Sequence, residues 1–322
     1  MTYAAVMREI GDADVLKFQE ISVDRPGPGE ALVRQTAIGV NFLDIYFRSG
    51  FFKPGQFPFI NGFEAAGVIE ELGPEVTGLK VGDRVGYQLV VGAYASARIV
   101  KTDRLIRLSD TISDVQAAAI MLKGMTAEFL LRRLYQVASS DSVLIHAAAG
   151  GVGSLLTQWA KHLGATVIGT VSSKEKMDVA RKLGCDYVFS TNEDFVTAVK
   201  RDLGEFPVSV FYDGVGQRTF APSLNLLRTF GWGVLYGWVS GRSGPIDPHA
   251  LQARSLTVSS PSLGHYTETR DQLQGSADVL FEAVSNGVLE SVEPIIYPLK
   301  DAGKAHADLE GRKTTGSIVL VP

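Results

Sequence analysis

The chain has 322 residues, with 31 basic and 35 acidic side chains, a formal charge of −4 and a single cysteine, Cys185. The length exceeds one ordinary core, so two domains are expected, and 45% hydrophobic with 20% charged residues excludes a disordered chain. One cysteine excludes an internal disulfide, a four-cysteine zinc site and an iron–sulfur cluster, and the slight acidity without a basic tail argues against nucleic acid as a main partner.

In chain order, the first 120 or so residues read as short strands and turns. Ala31–Val33, Ala66–Glu70 and Asp83–Val85 are strands, punctuated by Pro26-Gly27-Pro28-Gly29, Gly73-Pro74 and Val81-Gly82-Asp83. Asn41–Arg48 suits one short helix. Met1–Glu20 has no signal-peptide apolar core, and no apolar run approaches the ~20 residues of a membrane span, so a cytoplasmic protein without membrane insertion is expected. Val115–Leu122 and Thr126–Tyr135 have helical spacing. From Ser142 the chain alternates: strands at Val143–His146, Ala165–Val171, Tyr187–Phe189, Val208–Tyr212, Gly233–Tyr236 and Leu256–Ser259, helices at Gly153–Leu163, Lys174–Leu183, Asp194–Leu203 and Thr219–Leu227. Apolar strands alternating with helices predict a doubly wound parallel sheet. A helix around Arg270–Ser285 follows, and Gly316–Val321 ends the chain as a strand. The fold class is therefore α/β: a β-rich lobe, an inserted nucleotide-binding lobe and a return to the first. The expected boundaries are 1–122 with 262–322 for the first lobe and 123–261 for the second.

Ser142-Val-Leu-Ile-His-Ala-Ala-Ala-Gly150-Gly151-Val152-Gly153 is the most informative stretch. A buried strand runs into a glycine turn and a helix starts at once. Glycines let a pyrophosphate approach the main chain, and the helix N-terminus supplies free N–H donors and a favourable dipole. A plain strand–helix connection would use the same glycines for tight packing. Within a full βαβ series the dinucleotide reading is favoured. The next strand ends in Ser172-Ser173-Lys174-Glu175-Lys176, where an NAD site has an acidic residue. Ser172, Ser173 and Lys176 suit the 2′-phosphate of NADPH; a serine N-cap with surface lysines is the plainer alternative. Ligands in such sheets lie beyond the strands' carboxyl ends, so Gly214 of Asp213-Gly-Val-Gly216, and Tyr236 and Gly237, are expected near the cofactor. His146 lies inside a strand and reads as core. His162, His249, His265 and His306 have no metal-ligand spacing.

Several motifs then occur together: Gly39-Val-Asn-Phe-Leu-Asp-Ile-Tyr-Phe-Arg-Ser-Gly50, Gly62-Phe-Glu-Ala-Ala-Gly-Val68, Val81-Gly-Asp-Arg-Val85, Leu122-Lys-Gly-Met-Thr-Ala127, the Ala147–Gly153 loop, and Pro298-Leu-Lys-Asp-Ala302 with Ala305-His306. With these the chain resembles, over essentially its whole length, the zinc-independent, zeta-crystallin-like quinone oxidoreductases of the medium-chain dehydrogenase/reductase superfamily, and especially their bacterial NADPH:quinone reductase branch. The resemblance implies a GroES-like catalytic lobe beside a Rossmann lobe. It also implies hydride transfer from NADPH to a quinone in the cleft between lobes, and a homodimer formed at an edge strand around Leu256–Ser260. Zinc relatives need a cysteine where this chain has Asn41 and a histidine where it has Phe63, so no metal is expected.

The same resemblance suggests roles residue by residue. Asn41 lies near the nicotinamide ribose and the acceptor, or is a turn asparagine. Asp44 orients a neighbour or a water, or caps a helix. Tyr46 lines the acceptor pocket, or is a half-buried core tyrosine. Phe52 departs from a tyrosine, keeping the ring and losing the donor. Lys123 and Thr126 flank the nicotinamide, with Lys123 alternatively a helix-end cation. Thr191, another departure from a tyrosine, approaches the 2′-phosphate, and Arg312 meets the cofactor's far side or phosphate, or is a surface arginine. Two rivals stay open: an NADPH-dependent enone or alkene reductase on the same scaffold, and a non-catalytic NADPH-binding structural (crystallin-like) or sensing protein.

Overall fold

The computed structural model describes residues 1–290, 293–314 and 316–322. The chain forms two compact units, one of Met1–Met125, Tyr266–Ser285 and Ser291–Pro322, the other of Thr126–His265 and Asn286–Glu290. Within the Glu310–Gly316 segment, Thr315 lies outside the described residues.

The first unit carries strands β1 (Thr2–Met7), β2 (Lys17–Ile21), β3 (Glu30–Val40), β4 (Phe59–Ile60), β5 (Glu64–Leu72), β6 (Arg84–Gln88), β7 (Ala97–Lys101) and β8 (Ile106–Arg107). Helix α1 (Phe42–Arg48) follows β3, and α2 (Asp114–Phe129) leads toward the second unit. β3 is the spine of this unit. It pairs antiparallel with β5 and with β7, and its far end pairs with the terminal strand of the chain, Ile318–Val321. That return is driven by burial. Ile318 and Leu320 lie in the same core as Val33, Ile38, Val85 and Leu105, all at most 1% exposed. Each such aliphatic side chain contributes ~1.5–3 kcal/mol by leaving water. β1, β2 and β4 form a separate three-stranded sheet.

The second unit is the doubly wound lobe. Its strands are β9 (Ser142–His146), β10 (Thr166–Val171), β11 (Tyr187–Ser190), β12 (Val208–Asp213), β13 (Leu227–Leu235) and β14 (Thr257–Ser259), all parallel, in the order β11-β10-β9-β12-β13-β14. β12 is buried at every position, as a central parallel strand covered on both faces must be. Helix α3 (Gly151–His162) buries Leu155, Leu156 and Trp159 and exposes Lys161 and His162. α4 (Lys174–Lys182) starts at a Ser173 N-cap, and α5 (Phe195–Leu203) at an Asp194 N-cap whose carboxylate accepts from the Thr197 N–H.

In the first unit the strand expected at Ala31–Val33 extends over Glu30–Val40, and α2 joins the two helical stretches expected at Val115–Leu122 and Thr126–Tyr135. Two elements of the second unit also differ from the sequence reading by more than two residues. β13 begins at Leu227 rather than Gly233, because the strand runs on through an irregularity at Phe230, whose φ is 63°. The helix expected over Thr219–Leu227 is confined to Phe220–Ser223 and a following 3-10 turn, Leu224–Leu226. In the first unit Arg270–Ser285 is helical throughout, and Ala302–Glu310 forms the last helix. β15 (Ile295–Pro298) pairs with β16 (Ile318–Val321) at the edge of the seven-stranded sheet.

His146 is fully buried, its ring nitrogens 2.7 Å from the hydroxyls of Thr170 and Ser223, and burial lowers its pKa. It is a satisfied core histidine. Cys185 is buried against Thr157, and desolvation raises its thiol to about 11, far from a reactive thiolate. Among the described residues no helix is long and apolar enough to cross a membrane.

Candidate functional site

In the second unit, β9 delivers the chain to Ala147, which takes a left-handed φ of 52°. For a residue with a Cβ this conformation costs ~1–2 kcal/mol, so the turn is held by its surroundings. The Gly150 N–H donates to the Ala147 carbonyl at 2.7 Å, and Ser154 N–H donates to the Gly150 carbonyl at 2.8 Å. The first-turn amides of Gly151, Val152 and Gly153 therefore have no acceptor in their own helix. A β-carbon on Gly153 would collide with the Ala147 carbonyl oxygen and lie 2.8 Å from its carbonyl carbon and 3.1 Å from Ala148 Cα. Gly153 thus lets the helix start against the strand exit, with three adjacent first-turn amides that an anion could accept from. This donor set fits a pyrophosphate.

The later strand ends converge on this edge of the sheet. Asp213 is fully buried and organises the loop after β12: its carboxylate accepts from Val215 N–H at 2.6 Å, Gly216 N–H at 3.0 Å and the Thr219 hydroxyl at 2.7 Å. Gly214 packs beneath Tyr236, since a β-carbon there would be 2.9 Å from the Tyr236 ring, and one on Gly237 would be 2.8 Å from the Gly214 carbonyl. Gly214, Tyr236 and Gly237 are thereby brought together by mutual packing of two glycine loops.

At the end of β10, the Ser173 hydroxyl accepts from the Lys176 N–H at 3.4 Å and starts α4. Ser172 is tied from the next strand. The Asn192 side chain donates to its carbonyl at 2.9 Å, while Thr191 donates both its N–H and its hydroxyl to Val171. Ser172, Ser173, Lys176 and Thr191 are thus neighbours. Glu175 also sits at this helix start; its own backbone N–H and Ser173 hold its carboxyl below the usual range. Asn192 had no signal in the sequence beyond its place after Thr191. Thr126, half-buried on α2, opens the second unit.

The first unit assembles the other predicted residues around a group the sequence reading passed over. Glu64, the first residue of β5, is fully buried. Its Oε1 accepts from Asn41 Nδ2 at 2.7 Å and lies 3.4 Å from the Lys123 ammonium, and its Oε2 accepts from the Leu122 N–H at 2.7 Å. The Lys123 ammonium is itself buried and donates to the Val40 carbonyl at 3.4 Å. Lys123 is mid-helix rather than a helix-end cation. Asn41 is the N-cap of α1, and Asp44 is its third residue, accepting from the Asn41 N–H at 2.7 Å.

Asp44 is fully buried, and burial pushes its carboxyl up to about 7 against the opposing effect of its donors. One of those donors is Tyr94, whose hydroxyl is 2.8 Å from Oδ2 and 2.7 Å from His306 Nε2. His306 is buried and depressed to about 3 by desolvation and by Arg48. Arg48 then pairs with Glu310 at 2.6 Å. An arginine only donates, so Nδ1 of His306 accepts, Nε2 carries the proton, and the chain Arg48, His306, Tyr94, Asp44 runs in one direction. Tyr94 and His306 lie 212 residues apart, which no local pattern announces.

Tyr46 points into a cluster of rings. Its centroid lies 6.5 Å from Phe42, 5.0 Å from Phe51 and 5.7 Å from Phe52. Phe47 adds contacts to Phe52 and Phe63. Phe63 therefore fills the position where a zinc relative needs a histidine with packed aromatic surface, and among the described residues no group of three or more His, Cys, Asp or Glu is arranged to hold a metal. Arg312 is exposed just after Ala302–Glu310, in the first unit with a φ of 55°.

Comparison with known proteins agrees with this architecture. Residues 27–132 match the alcohol dehydrogenase GroES-like domain family, and residues 151–282 match the zinc-binding dehydrogenase family. The chain is 45% identical to a 2-haloacrylate reductase of a Burkholderia species, covering 100% of this chain and 99% of that protein. It is 41% identical to quinone oxidoreductase 1 of Escherichia coli K12, covering 97% of each. The crystal structure of Escherichia coli quinone oxidoreductase complexed with NADPH matches the whole chain with a TM-score of 0.95 at 40% identity, covering 100% of each chain. A GroES-like lobe and a Rossmann lobe in one chain define a medium-chain dehydrogenase/reductase. Within that class the chain belongs to the quinone oxidoreductase family.

Proposed function

We propose that this chain is an NADPH-dependent, zinc-free reductase that passes a hydride to a quinone. The observation that carries the reading is the donor set at the metal positions of the zinc dehydrogenases. Asn41, held by Glu64, and Phe63, packed on Phe47, offer neither thiolate nor imidazole. The 40–42% identity to quinone oxidoreductases over 97% of the chain supports the acceptor class. NADPH, when bound, supplies the hydride. The residues of the chain bind and orient. The Gly151, Val152 and Gly153 amides hold the pyrophosphate, and Ser172, Ser173 and Lys176 hold the 2′-phosphate. Thr191 approaches the same phosphate, and Thr126, Gly214, Tyr236, Gly237 and Arg312 line the rest of the cofactor. Asn41 and Tyr46 orient the acceptor against the aromatic wall that includes Phe52, with Asp44 and Lys123 behind them. A quinone delocalises the incoming charge, so positioning of two π-systems is the main catalytic task.

The reading is tested by turnover of 1,4-benzoquinone with NADPH and with NADH. Quinone reduction with NADPH preferred is expected. The identity to a 2-haloacrylate reductase favours a second reading, reduction of an activated alkene. Faster turnover of an α,β-unsaturated ketone or of 2-chloroacrylate than of the quinone would put that reading first. Tight NADPH binding with no consumption across these acceptors would indicate a non-catalytic binding protein, and stoichiometric zinc by metal analysis would contradict the metal-free reading. We further propose a cytoplasmic homodimer paired through β14, which lies at one end of the sheet order and includes Thr257–Ser259. Sedimentation as a monomer only would remove it.

A further inference from the structure

A fully buried ion pair is expensive, and well-packed apolar residues in place of both partners often stabilise a fold as well. Glu64 is the carboxylate of such a pair, with a buried ammonium 3.4 Å away and two N–H donors at 2.7 Å. The donors come from two elements: the cap of α1, and α2, which supplies the Leu122 main chain and the Lys123 side chain. Neighbouring backbone is shaped around it. A β-carbon on Gly39 would lie 2.5 Å from Glu64 Cγ and collide with its Oε1 and with the Ala118 carbonyl. Gly39 has no positive φ, so it is there for space rather than for a turn.

The chemistry of the contact sets the orientation of Asn41. A carboxylate only accepts, so Asn41 must direct Nδ2 toward Glu64. That turns its carbonyl Oδ1 toward the Asp44 N–H, as the capping box of α1 requires, and leaves its second N–H for another partner.

We propose that Glu64 is a positioning residue for hydride transfer, acting by fixing the amide orientation of Asn41 and by holding Lys123 in place. The inference rests on the reading of Asn41 given under Proposed function. Neither the clamp nor its glycine space depends on the identity of the acceptor.

The test is a double-mutant cycle with 1,4-benzoquinone and NADPH, using Glu64→Gln, Asn41→Ala and the pair. A glutamine accepts at one end and donates at the other, so it cannot serve Asn41 Nδ2, the Leu122 N–H and the ammonium together. Glu64→Gln is expected to lower kcat at least tenfold per NADPH-binding site, and to raise the primary isotope effect with NADPH deuterated at the transferred position. In the Asn41→Ala background the same change is expected to cost threefold or less, because the residue acts through Asn41. A merely structural carboxylate would lower the number of binding sites without altering the isotope effect, and its cost would add fully to that of Asn41→Ala. That result, a kcat within twofold of wild type, or failure of Glu64→Gln to fold would overturn the proposal. Absence of turnover in the wild-type protein would instead refute the functional reading itself.

Discussion

Asp44→Asn separates two buried titrations that oppose one another. Asp44 is fully buried, its Oδ1 has no hydrogen-bond partner, and its carboxyl sits at about 7 against an ordinary 3.8 because burial disfavours the charged form. From pH ~4 to ~7 the folded chain holds a proton there that the unfolded chain has released. The stability contributed by this carboxyl therefore falls as pH rises through that window and is level above it. His306 behaves oppositely. Its folded value of about 3 lies below the ordinary 6.5, so stability rises with pH between ~3 and ~6.5. Asparagine is neutral at every pH, can still accept from the Asn41 N–H and the Tyr94 hydroxyl, and leaves the His306 contribution in place. At ~1.4 kcal/mol per pH unit, the stability of Asp44→Asn relative to wild type should improve by ~2–3 kcal/mol between pH 5 and pH 8. Urea denaturation of both proteins at the two pH values measures this directly. Parallel pH dependences, within ~0.5 kcal/mol, would refute the reasoning that burial keeps Asp44 protonated near neutrality.

Gly153→Ala should lower stability by ~1–3 kcal/mol and abolish tight NADPH binding, because its β-carbon meets loop backbone that cannot rotate away. Gly150→Ala, whose nearest contact would be 3.1 Å, should be much milder in the same thermal and fluorescence titrations. Ser173→Ala should cost ~1 kcal/mol as a lost helix cap and raise the NADPH Michaelis constant, whereas Lys176→Ala should raise that constant with little loss of stability. An unchanged NADPH constant in Lys176→Ala would remove that residue from the phosphate site. Glu175→Gln removes a carboxylate from the same helix start, so NADPH should bind about twofold to fivefold more tightly and NADH should be little affected.

The second lobe was largely legible in the amino-acid order because its signals are local. Alternating apolar strands and helices, a glycine turn between β9 and α3, and serines at the end of β10 each lie within a dozen residues of what they explain. The expected strands at Val143–His146 and Ala165–Val171 differ from the observed ones by a residue at one end. The reading weakened where glycine or proline interrupts an element, as at Phe230-Gly231 in β13 and Pro222 in the shortened helix. At Phe230-Gly231 local propensity stops the element but pairing with β12 carries the strand on, whereas after Pro222 the helix ends at Ser223 and gives way to a 3-10 turn.

The identity of Asn41 and Phe63, on which the metal-free proposal rests, could be read from sequence alone. What sequence could not decide was how those residues are held. Glu64 meets Asn41 across 23 residues and Lys123 across 59, and Tyr94 joins Asp44 to His306 across 50 and 212. These contacts exist only because the sheet brings β5 beside β3 and the C-terminal segment packs in the same unit. Sequence determined which chemical groups are present. Tertiary structure decided which of them are buried, which way each amide and imidazole must point, and which carboxyl keeps its proton, since desolvation and hydrogen-bond direction follow from neighbours distant along the chain.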